Sequence, residues 1–138
     1  MIFDTDVIIW AFRGNDYACN AIDQEPKREI SAVTYMELMK GAKDKRELKV
    51  IKEFLNGMGF RTIAINEEIS SRAIALIEQV GLKSGMGVDD ALIFATACHK
   101  GGTLLSGNYR HFKDVPNLNA RRFYPLPQDH YSTDSTFE

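Results

Sequence analysis

A run of small and apolar residues, Ala91-Leu92-Ile93-Phe94-Ala95-Thr96-Ala97-Cys98, follows directly on two adjacent carboxylates, Asp89 and Asp90, and this stretch restricts the fold more than any other. Wound as a helix it has no polar face, so it has to be buried on all sides. A carboxylate at the start of a buried helix needs a partner, either a cation or a hydrogen-bond network. Asp89 suits an N-cap, accepting from the unpaired N–H groups of the first turn, and the helix dipole favours negative charge on both acids. Capping accounts for one aspartate better than for two.

The remainder of the chain alternates strand-like and helix-like segments. Met1-Ile2-Phe3 reads as a short strand ending at Asp4, followed by a helix capped around Thr5 or Asp6 and closed at Gly14-Asn15. A helix is expected over Tyr17 to Glu25, then a buried strand over Ile30 to Val33. Thr34 and Glu37 fit a capping box, which gives Glu37 a purely structural job as well as a place at a strand's carboxyl end. A charged amphipathic helix runs from Lys43 to about Gly57, a third strand spans Phe60 to Ile65, and a further helix runs from Asn66 to Gly81. A flexible loop over Gly81 to Gly87 leads into the apolar helix. Thr103 to Ser106 is the next strand, and Arg121 to Tyr124 an edge strand. This alternation implies an α/β/α sandwich with a mostly parallel central sheet, a domain over residues 1–124 and a loose polar tail over 125–138.

Composition limits the function classes. The chain has 138 residues, 44% hydrophobic content and a formal charge of −2, as expected of one ordinary globular domain without a broadly basic surface. Cys19 and Cys98 are too few and too far apart for a disulfide framework or a zinc site, and no run reaches transmembrane length. A cytoplasmic protein that does not engage the membrane is the expectation.

Asp4, Glu37, Asp90 and Asn108 all follow predicted strands or open helices, so they can converge on one end of the sheet. Asp4 and Asp6 can also be read as caps, Asn108 as a turn residue, Arg110 as a surface cation and His111 as a packed ring. Three carboxylates brought close together repel one another and take up protons unless a cation offsets them. Oxygen donors select a hard ion such as Mg2+ or Mn2+. Such an ion can activate water and neutralise a scissile phosphate. By default the lysines and arginine of the charged helix make a solvated face. Lys43, Lys45, Arg46 and Lys49 there, with Arg110, are also the best places for phosphate contact.

Four segments, Asp4-Thr5-Asp6-Val7-Ile8-Ile9, Thr34-Tyr35-Met36-Glu37-Leu38, Asp90 to Ala97, and Ser106 to Phe112, resemble in order and spacing the motifs of PIN-domain ribonucleases, especially VapC-type toxins. The resemblance spans Ile2 to Phe123. It implies a Mg2+- or Mn2+-dependent endoribonuclease, a homodimer, and a cognate antitoxin. Motif position makes Asp4, Glu37 and Asp90 the catalytic and metal-binding acids. Asp89 is an extra acid beside the matched one, and Asn108 stands with His111 where many members place a fourth acid. Two other classes compete. A haloacid-dehalogenase-like phosphatase would use Asp4 as nucleophile, and a non-catalytic PIN-like RNA-binding protein would lack acids of the triad.

Overall fold

Ile2 and Phe3 are both fully buried, and successive residues of a strand point to opposite faces, so this strand needs apolar cover on both sides. A computed structural model, which describes residues 1–131, supplies that cover. The strands are β1 (Ile2–Phe3), β2 (Glu29–Ser31), β3 (Arg61–Ile63), β4 (Thr103–Ser106) and β5 (Asn119–Arg122). They form one sheet in the order β3-β2-β1-β4-β5, and every neighbouring pair is parallel. Ile2 is in register with Leu104 and Phe3 with Leu105, which sends one pair to each face.

Phe3 and Leu105 meet α1 (Thr5–Phe12), α2 (Asp16–Gln24), Leu38 of α3 (Ala32–Lys40), and Ile51 and Leu55 of α4 (Lys45–Gly57). Ile2 and Leu104 meet α5 (Glu67–Leu76), α7 (Val88–Lys100) and α8 (Tyr109–Phe112). The expected three-layer sandwich is the observed one. Each large side chain buried in these layers contributes about 1.5–3 kcal/mol relative to exposure. Ala91, Ile93, Phe94, Ala95, Thr96 and Ala97 of α7 are all buried, as their lack of a polar face requires. Gly101 ends that helix at φ 66°, a left-handed position that glycine adopts without strain.

Three local expectations are corrected. Helix α3 starts at Ala32 because Ser31, at the end of β2, accepts the Val33 N–H at 3.0 Å and caps it; Thr34 therefore lies inside α3. Gly87 takes the N-cap position of α7 in place of Asp89, which stands within the first turn. The segment before it is ordered: a π-helical turn (Ile77–Gly81) continues α5 into the short α6 (Leu82–Ser84), and Lys83 pairs with Asp114 at 3.5 Å. Of the proposed tail, Gln128–Tyr131 forms a 3-10 turn whose Tyr131 ring packs against Tyr124, with centroids 5.1 Å apart. Residues 132–138 lie outside the described part of the chain.

Candidate active site

Going outwards from β1, the chain winds through β2 to β3 on one side and through β4 to β5 on the other. The crevice beyond the carboxyl ends of β1 and β4, where the winding reverses, is where an open α/β sheet collects ligands. Asp4 follows β1 at this point. Its Oδ1 accepts the Thr5 N–H at 2.7 Å and so caps α1, while Oδ2 accepts the hydroxyl of Ser106, the last residue of β4, at 2.7 Å. Asp4 is only 4% exposed. Burial above all, with the charges of Asp6 and Asp90 adding to it, pushes its carboxyl up to about 7 against the hydrogen bonds from Ser106 and Thr5.

Asp6 stands in the first turn of α1 and reaches across to β4, where its Oδ2 accepts the Gly107 N–H at 2.9 Å. A Cβ on residue 107 would lie 2.7 Å from that oxygen and 3.4 Å from the Phe123 carbonyl, so glycine is what permits the approach. The other oxygen, Oδ1, is buried with no hydrogen-bond partner among the described residues. Burial raises the Asp6 carboxyl, and the Asp90 charge raises it further, while hydrogen bonds from Gly107 and Val7 hold it down. In the sequence a cap was one reading of Asp6, which was not among the acids expected to hold the ion. Its participation was signalled by the Asp-x-Asp spacing, which puts both acids at the same helix start.

With α3 capped by Ser31, Glu37 is released from the capping box and enters the site. Its Oε1 accepts the Thr5 hydroxyl at 2.6 Å, and the Thr34 hydroxyl lies 3.0 Å from the same Thr5 oxygen. A hydroxyl has one hydrogen to give, so Thr5 spends it on the carboxylate and Thr34 donates in turn to Thr5. Burial raises the Glu37 carboxyl first of all, helped by contact with Asp89 and by the Asp90 charge. Asp89 is thus brought to the site through Glu37. Asp90, at the third position of α7, turns its Oδ2 to the Gly87 N–H at 3.3 Å and to His111 Nδ1 at 2.8 Å. Asn108 contributes its backbone, donating to Ser106 Oγ at 3.0 Å and accepting from His111 N–H at 2.9 Å.

The sequence matches the PIN domain family over residues 1–118. The chain belongs to the PIN domain family. This PIN domain is similar to a toxin–antitoxin complex from Klebsiella pneumoniae, with 29% identity, 91% of this chain and 97% of that chain covered, and a TM-score of 0.73. It also shares the fold of VapBC2 from Rickettsia felis bound to a fragment of its promoter DNA, at 22% identity, with 90% and 100% of the chains covered and a TM-score of 0.77. VapBC-1 from nontypeable Haemophilus influenzae has the same fold, at 22% identity, 88% and 98% coverage and a TM-score of 0.75. No curated protein matches the sequence. PIN domains are a nuclease family that generally uses divalent metal ions.

The acids of this PIN domain fit a cation in chemistry. Asp4, Asp6 and Glu37 are all raised, with like charge from their neighbours among the causes, and Asp6 holds a buried oxygen without a partner. Among the described residues no three acidic, histidine or cysteine side chains stand where they hold an ion without moving. Each acid is instead engaged by neighbours: Thr5 and Ser106 hold Asp4, Thr5 holds Glu37, and His111 holds Asp90.

The basic residues separate into two groups. Arg46 lines a cleft of about 630 Å3 between α1, α3 and α4, together with Arg13, Phe12, Asp44 and Lys43, which pairs with Glu47 at 3.9 Å, and Glu37 is the acid of the site on its wall. Lys49 is exposed and pairs with Glu53 one turn on at 4.0 Å. Lys45, at the first position of α4, is exposed. Arg110 extends on the other side of the site towards Gly85.

Proposed function

We propose that this PIN domain is a Mg2+- or Mn2+-dependent endoribonuclease and the toxin of a toxin–antitoxin pair. The observation that carries the reading is the gathering of Asp4, Asp6, Glu37 and Asp90, drawn from three helices, around the β1/β4 crevice of a PIN fold. Asp4, Glu37 and Asp90, with Asp6 and Asp89 beside them, would hold the ion, which supplies a Lewis acid for the phosphate and a water of lowered pKa. The chain's own residues do the rest. Ser106 and the Thr5 N–H orient Asp4, the Thr5 hydroxyl orients Glu37, and Arg13 and Arg46 in the adjoining cleft offer positive charge to the phosphates of a strand passing Glu37.

The match to the PIN family over residues 1–118 favours the nuclease over a phosphatase that uses Asp4 as nucleophile. All the acids of the triad are present, which disfavours a non-catalytic binder. The likeness to toxin–antitoxin complexes supports an antitoxin partner. The exposed apolar residues Ile74 and Val88, beside a groove that Ile77 and Leu92 also line, support a homodimer. A cytoplasmic location is in keeping with an RNA substrate.

The test is cleavage of single-stranded RNA by the purified chain in EDTA, in Mg2+ and in Mn2+. Hydrolysis that requires either ion and vanishes in Asp90→Asn supports the reading. Metal-independent cleavage, or a phosphoaspartate trapped at Asp4, overturns it.

A further inference from the structure

Both hydrogen bonds of the Asp90 carboxylate among the described residues fall on one oxygen. Oδ2 accepts from the Gly87 N–H and meets His111 Nδ1 at 2.8 Å. An ionised carboxylate has no hydrogen to give, so the hydrogen of the shorter contact sits on the imidazole. The ring is itself held. His111 lies on α8, its N–H donates to the Asn108 carbonyl at 2.9 Å, and its neighbour Phe112 packs edge-on against Phe94 of α7, with centroids 6.4 Å apart. The helix that carries His111 is therefore docked on the helix that carries Asp90, and the contact spans two packed elements. His111 and Asp90 are both largely buried, with side chains 24% and 13% exposed.

We propose that His111 is a positioning residue: by holding Asp90 Oδ2 it leaves Oδ1 as the single oxygen presented to the divalent ion, with the imidazole outside the coordination shell. The proposal rests on the metal-nuclease reading above. It assigns a role to the position where the family often has a further acid. A donor without negative charge here fixes the neighbouring ligand, so the ion is held by the Asp4, Glu37 and Asp90 side of the crevice. An outer partner of a metal ligand is typically worth about tenfold to a hundredfold in metal affinity.

The experiment is calorimetric titration of Mn2+ into the full chain and into His111→Phe and His111→Asn, with electron spin-echo spectroscopy of the Mn2+-loaded full chain. Phenylalanine fills the ring's space without a donor. Asparagine places an amide N–H at nearly the distance of Nδ1 from the backbone. The expected result is about a tenfold or greater loss of affinity in His111→Phe, recovery to within about threefold in His111→Asn, and no nitrogen bound directly to Mn2+. Equal affinity in His111→Phe and the unmodified chain overturns the proposal. So does a directly bound nitrogen, a result that decides even where the phenylalanine variant fails to fold. An unmodified chain that binds no Mn2+ at millimolar concentration removes the metal-nuclease reading itself, and this inference with it.

Discussion

The Thr5 hydroxyl donates to Glu37 Oε1 across 2.6 Å, joining the first turn of α1 to the second turn of α3. The residues are 32 positions apart in the chain. Thr5→Val keeps the shape but strips the donor from Glu37 and the acceptor from Thr34, which is fully buried. Urea denaturation should show a loss of about 1–3 kcal/mol, the cost of leaving such groups unpaired. RNA cleavage should fall with it, and Thr5→Ser should restore both. A valine variant with full activity would show that Glu37 needs no orienting hydroxyl.

Alanine at Asp4, Glu37 or Asp90 should abolish metal-dependent RNA cleavage while the chain stays folded by circular dichroism. Asp89→Ala should cost less, because Asp89 reaches the site only through Glu37. Asp4→Ala carries a further cost that the other two lack: it removes the N-cap of α1, worth about 1 kcal/mol. Activity retained in Asp90→Ala and lost in Asp89→Ala would exchange their roles.

Asp4 titrates near 7 in the folded metal-free chain against 3.8 in an unfolded one. The folded state therefore keeps a proton that the unfolded state releases. The associated stability is complete below about pH 3.8 and is lost as pH climbs to about 7. Asp6 and Glu37 are raised too and act in the same sense. In EDTA the melting temperature should fall between about pH 4 and pH 7, and Asp4→Asn should flatten that fall. Added Mg2+ should flatten it as well, because an ion bound only by the folded, ionised site stabilises it at the higher pH. A melting temperature that rises over this range in EDTA would mean that Asp4 is already ionised.

Neutralising Arg13 and Arg46 together should reduce the salt dependence of RNA binding, by a slope of about 0.7 in log–log terms for each phosphate that no longer meets a cation. Lys49→Gln should leave the slope unchanged, since Lys49 faces away from the cleft and is paired with Glu53. Filter binding across a salt series separates the two outcomes. Equal slopes for all variants would place the RNA elsewhere, with Arg110 the next residue to test.

The layers of the fold were legible because two periodicities are clean: Ile2 and Phe3 alternate across a strand buried on both faces, and Ala91 to Ala97 shows no polar face. The triad was legible because each acid follows or precedes such an element. Local chemistry misled where two residues compete for one cap. Thr34 and Glu37 satisfy the capping-box pattern, yet Ser31 lies nearer the end of β2 and wins, which is what frees Glu37. Asp89 is not the cap of α7 because the helix starts one residue earlier, at Val88: Gly87, with no side chain to offer, takes the N-cap position and Asp90 accepts its N–H at 3.3 Å. The contacts made from far along the chain, the Gly107 N–H with Asp6 and the Ser106 hydroxyl with Asp4, carry no local sign of which acid they meet, because their partners stand 101 and 102 residues away.

That separation has a consequence for the chain as it is made. Asp4 and Asp6 are synthesised well before the hydroxyl and N–H that position them, which belong to Ser106 and Gly107. β4 must also be in place beside β1 before the crevice exists. A partly synthesised chain thus carries the acids without the site. A fragment that stops before β4 therefore lacks the groups that orient both acids.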